Sequence, residues 1–66
     1  MLHTANNSLK EVRLSANLTQ EDLAESVGVS RQTIISIEKG KYVPSVSLAI
    51  RIARRLKVKV EDLFEV

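Results

Sequence analysis

Gly28 limits most what this chain can fold into. It stands between two short segments of helical periodicity, on a link of only a few residues. Upstream, Thr19 is placed to cap a helix with Leu23, Ala24 and Val27 on its apolar face, and Asp22 falls three residues after the cap. Downstream, Ser30 is placed to cap a helix from Arg31 to Lys39, with Ile34 and Ile37 inward and Gly40 at its end. Glycine supplies the positive φ that so abrupt a reversal needs. Two helices of roughly eight or nine residues on so short a link cannot fold back antiparallel over their full length, so they cross steeply. A steep crossing needs a small residue at closest approach, and Ala24 supplies it.

The flanks add helices of the same scale. Ser8 and Glu11 have capping-box spacing and start a first helix near Leu9, with Leu9, Val12, Arg13 and Ala16 on one face and Asn17 at its end. Val43-Pro44 forces an extended connection. Ser45 opens a fourth helix with Ala49, Ile52, Ala53 and Leu56 at i, i+3, i+4 and i+7. Val58, Val60, Leu63 and Phe64 close the chain, with a short fifth helix from about Val60. The predicted fold class is all-α: a compact five-helix domain spanning residues 1–66.

So short a chain has a marginal core and leans on disulfides, metals or a partner subunit. With no Cys and one His, disulfides and structural zinc sites are excluded. That leaves tight helix packing, oligomerisation or both. The longest apolar run is Leu48-Ala49-Ile50, against the roughly 20 residues of a membrane span. The N-terminal segment has neither the basic residues nor the apolar stretch of a secretory signal, so a cytoplasmic protein is expected. No acid–base pair, nucleophile–base pair, metal cluster or phosphate loop can be assembled, so neither an enzyme nor a cofactor is expected. His3 is expected to be an ordinary residue of the terminus.

The net charge of +2 conceals a strong asymmetry. Residues 31–59 hold eight Lys and Arg against the single acid Glu38, while residues 1–30 hold two against four acids. A basic block of this kind suits a polyanion partner. Charge alone is equally consistent with a solvated helix face.

The segment from Leu18 to Ser45, LTQEDLAESVGVSRQTIISIEKGKYVPS, resembles the Cro and lambda-repressor-like (XRE) family of helix-turn-helix regulators. Gln20, Ala24, Gly28 and Ile34 match the first, fifth, ninth and fifteenth positions of the family motif, which would span 20–39, and the closing Val-Glu-Asp-Leu-Phe continues the match. The resemblance implies a lambda-repressor-like fold, double-stranded DNA as partner, and helices 2 and 3 as the helix-turn-helix. Two lysines, Lys57 and Lys59, stand where the family usually has the glycine stop and serine cap of the last helix.

Helix geometry then assigns roles. Opposite Ile34 and Ile37 lie Gln32, Ser36 and Lys39, flanked by Thr33 and Ile35. A recognition helix enters the major groove with its N-terminal residues at the base edges, so Arg31, Gln32, Thr33 and Ser36 are the expected base readers. Gln20, Ser30, Lys39 and Lys41 are expected at phosphates, which position the domain without reading sequence. Arg51, Arg54, Arg55, Lys57 and Lys59 lie too far along to all reach DNA. Arg13 interrupts an apolar stripe and Glu38 lies about 40° from Ile34, so the two are expected to pair inside, as the resemblance also implies. Tyr42 is expected to pack over the end of the third helix, and Ile35 to fill part-buried space.

A single small reading head covers few base pairs, so a homodimer on an inverted repeat is expected, with half-sites ~34 Å apart. Val58, Val60, Phe64 and Val66 are the apolar candidates for its contact. A repressor is the leading expectation. The alternative is an antitoxin-type protein that binds a toxin partner and autoregulates.

Overall fold

A computed structural model describes residues 7–64 of the chain. Five helices follow in order: α1 (Leu9–Ser15), α2 (Gln20–Val27), α3 (Arg31–Glu38), α4 (Val46–Leu56) and α5 (Val60–Leu63). Among the described residues there is no strand. Helices of 7, 8, 8, 11 and 4 residues are too short to persist alone in water. Packing holds them. Leu9, Leu23, Ile34, Ile37, Ile52, Leu63 and Phe64 are almost wholly withdrawn from solvent and form one core with Ala24, Val27, Ala49, Ala53 and Leu56. Each large side chain so buried contributes about 1.5–3 kcal/mol. α4 packs against α2, where its Arg51 donates to Val27 O at the end of that helix.

Side chains set the helix starts. The Thr19 hydroxyl accepts from Asp22 N at 3.0 Å and the Asp22 carboxylate accepts from Thr19 N at 3.1 Å, the reciprocal box that spacing predicts. Ser30 caps Thr33 N at 3.2 Å and Ser45 caps Leu48 N at 3.1 Å. The box expected at Ser8 and Glu11 does not form. Ser8 sits at φ −104°, ψ 17°, outside the extended region of an N-cap, and makes no side-chain cap bond. Asn7 takes over: its Oδ1 accepts from Leu9 N at 3.2 Å and its Nδ2 donates to Ile37 O at 2.9 Å. Ser8 N donates to Leu63 O at 2.8 Å, so the entry to α1 is tied to the ends of α3 and α5.

The ends of α1, α2, α3 and α4 share one device. Asn17, Gly28, Gly40 and Lys57 all adopt positive φ, from 60° to 78°. After each, the next amide donates five residues back: Leu18 to Arg13, Val29 to Ala24, Lys41 to Ser36 and Val58 to Ala53. Lys57 therefore adopts the left-handed conformation that glycine takes most readily. Lys59 has no acceptor to offer as a cap, but Asp62 still accepts from its N–H at 2.9 Å, which preserves half a box at the start of α5.

Candidate nucleic-acid interface

α3 divides its residues sharply. Ile34 and Ile37 are fully buried, Arg31 and Gln32 exposed, and Thr33, Ile35 and Ser36 half-buried. Lys39, predicted as the last helical residue, is the exposed C-cap. The chain beyond Gly40 turns back along the helix, with Lys41 N donating to Ser36 O at 2.9 Å. Ser30, Gln32, Thr33, Ser36, Lys41 and Tyr42 thereby line one open depression of 330 Å³. Three predicted base readers and two predicted phosphate residues share one surface. Ser30 and Thr33 also engage each other, hydroxyl to hydroxyl at 3.1 Å.

Tyr42 lines the depression beside α3 and is 44% exposed. The left-handed Gly40 carries the chain back beside Ser36, and this return places Tyr42 there.

Behind this face lies a buried polar cluster. Arg13 Nε donates to Glu38 Oε2 at 2.7 Å and Arg13 Nη2 to Glu38 Oε1 at 3.3 Å, with side-chain exposures of 7% and 5%. Arg13 Nη1 donates to Leu18 O at 2.8 Å. Gln20, expected at a phosphate, donates from Nε2 to Glu38 Oε1 at 3.1 Å. Among the described residues no buried side-chain polar atom lacks a partner. The expected pairing of Arg13 and Glu38 is present, and Gln20 is a third member that helix periodicity alone did not connect to them.

At the start of α2, the Thr19 amide and then the Thr19 side chain hold the Asp22 carboxyl below its usual range, with Arg55 adding in the same direction. At the other end, Arg51 Nη1 donates to Val27 O at 2.8 Å and would lie 3.5 Å from a Cβ on Gly28. Arg51 thus neutralises the negative end of α2 and braces the turn into α3. Sequence placed it only in a basic block. Arg54 and Arg55 are exposed beside it, along a second open concavity that Glu25 and Ser26 also line.

The expected dimer residues are distributed differently. Phe64 is 1% exposed and belongs to the core, so it is not a surface contact. In so small a body the largest apolar side chain is needed inside. Val58 and Val60 are half-buried against the core, and Val66 lies outside the described residues. Among the described residues the exposed large apolar ones are Leu14, Tyr42, Val43, Val46 and Ile50.

Two short packed helices on a three-residue turn, with the second presenting a polar and basic outer face, define a helix-turn-helix DNA-binding fold. A family profile described as helix-turn-helix matches residues 9–63. The chain belongs to the XRE family of helix-turn-helix transcriptional regulators. It is 64% identical over 58 residues to an uncharacterized HTH-type transcriptional regulator of Methanocaldococcus jannaschii, covering 88% of each chain. It is 50% identical over 58 residues to the uncharacterized HTH-type transcriptional regulator YgzD of Bacillus subtilis, again covering 88% of each. Among solved structures it resembles the restriction-modification controller protein C.AhdI of Aeromonas hydrophila, with a TM-score of 0.77, 28% identity and 82% of each chain covered. Among the described residues no helix is long and apolar enough to cross a membrane.

Proposed function

We propose that α3 enters the major groove and that Arg31, Gln32, Thr33 and Ser36 read base edges. Arg31 suits guanine O6 and N7, and Gln32 suits adenine N6 and N7. Ser30, Lys39 and Lys41 hold phosphates on either side. Gln20 joins them through its second amide N–H, because only one is needed for Glu38. The chain acts in the cytoplasm as a homodimeric repressor on an inverted repeat. The observation that carries this reading is the depression on α3, where predicted readers and a lysine converge opposite two isoleucines locked in the core. A selection from a random duplex pool tests it. Enrichment of an inverted repeat with half-sites about one helical turn apart supports it. Absence of retention at low salt overturns it and favours a protein-binding, antitoxin-type role.

A further inference from the structure

Residues 31–59 hold eight Lys and Arg, yet the nine residues from Tyr42 to Ile50 hold no charge at all. Among the described residues, four of the five exposed large apolar side chains fall in this stretch, and Val46, at 69%, is the most exposed of them. Val46 and Ile50 are one helical turn apart and share a flank of α4. Arg51 lies on the opposite flank, turned toward α2 by its bond to Val27 O, and Arg54, one turn beyond Ile50, ends the stripe. A single exposed Val needs no explanation, but an apolar stripe kept free of charge inside a basic block marks a contact surface.

The second body that fits is another copy of this chain. A two-fold contact sets the same stripe against itself, so it needs only self-complementarity and no like charges at its centre. The surrounding basic surface would repel its own copy, whereas the stretch 42–50 would not. Position agrees: the stripe begins beside Lys41 and Tyr42, which line the depression on α3. Size agrees as well. Half-sites one helical turn apart are separated by ~34 Å, and the longest extent of the described body is 26 Å. Two such bodies centred ~34 Å apart lie near enough for side chains on facing edges to touch, so a contact between them is small, of the kind found in weak complexes.

We propose that Val43, Val46 and Ile50 form the surface on which a second copy docks, weakly in free solution and firmly when both copies share a duplex. The inference rests on the homodimer reading above and moves its contact from α5 to the start of α4.

The chain has no cysteine, so single introduced ones report which surfaces meet. At high micromolar concentration and without DNA, Val46→Cys is expected to give a covalent dimer under mild oxidation, and Leu14→Cys is not. Val46→Glu is expected to lose the concentration-dependent rise in sedimentation mass while keeping its melting temperature, since an acid at the first position of α4 favours the helix. A covalent dimer from Val60→Cys but not from Val46→Cys overturns the assignment. So does a single-subunit mass for the unmodified chain at every concentration. Neither result touches DNA retention, so failure of the interface and failure of the DNA-binding reading are separately visible.

Discussion

Arg13 Nε and Glu38 Oε2 stand 2.7 Å apart across 25 residues of sequence, and both side chains are almost wholly withdrawn from water. The pair joins α1 to the end of α3, and Gln20 adds the start of α2. Removing one partner strands the other charge in the interior. Glu38→Ala is therefore expected to cost about 3–5 kcal/mol, whereas Glu25→Ala, at an exposed site, stays within about 0.5 kcal/mol. Denaturant midpoints of the two variants decide the matter, and equal midpoints would remove the pair from the account of stability.

Arg51 holds the last carbonyl of α2 and lies against Gly28. Arg51→Ala is expected to destabilise by roughly 1 kcal/mol, discounted from a fully buried charged bond because Arg51 is exposed to solvent. Gly28→Ala costs about 1–2 kcal/mol through its φ of +78° rather than through a clash. Thermal melts of both variants test this; an unshifted Gly28→Ala would refute the backbone argument.

Lys57 keeps a left-handed conformation, φ 60°, without being glycine. Lys57→Gly is expected to stabilise the fold by about 1 kcal/mol, while Lys57→Val destabilises it, since a β-branched residue fits positive φ worst. The measurement is again the unfolding midpoint, read with opposite signs for the two variants.

Asp22 has its pKa lowered in the fold, chiefly by the Thr19 amide. A depressed carboxylate contributes stability that is present above its unfolded pKa, about 3.9, and is lost as pH falls through the folded value. The unmodified chain should thus lose stability below about pH 4 more steeply than Asp22→Asn. Coincident acid limbs for the two would show that the carboxylate charge contributes nothing.

On DNA, two substitutions should separate reading from holding. Gln32→Ala is expected to relax preference at one base pair, worth about 1–3 kcal/mol of discrimination. Lys41→Ala should weaken every sequence alike and reduce the logarithmic salt slope by about 1. If about 6–10 phosphates are engaged, affinity falls by about 10³–10⁵ between 50 and 200 mM salt. A salt slope that Lys41→Ala leaves unchanged would take Lys41 off the phosphate backbone.

Local chemistry announced most of the fold. Thr19 with Asp22, Ser30, Gly28 and Ser45 each act within a few residues of their own position, and each performs its predicted task. Arg13 and Glu38 were legible too, because a charge on an apolar face needs a partner. What stayed hidden depends on distant segments meeting. Asn7 displaces Ser8 as the cap of α1 because Ile37 O lies within its reach. Phe64 sits inside because the core has room for it, and helix periodicity does not measure room. Arg51 looked like any other cation of the basic block until the packing of α4 on α2 brought it to Val27 O.

The closures at Asn17, Gly28, Gly40 and Lys57 also govern where the chain can change in length. Four residues separate α1 from α2, three separate α2 from α3, and three separate α4 from α5. In these joints the left-handed residue, the five-back bond and the next cap use nearly every position, so an insertion would dismantle a helix end. Only the joint between α3 and α4, with seven residues, has positions to spare. Insertions and deletions among related chains should therefore gather between Lys41 and Ser45. On the proposed dimer, this joint is where the spacing between the two reading heads, and with it the half-site separation, would change most easily.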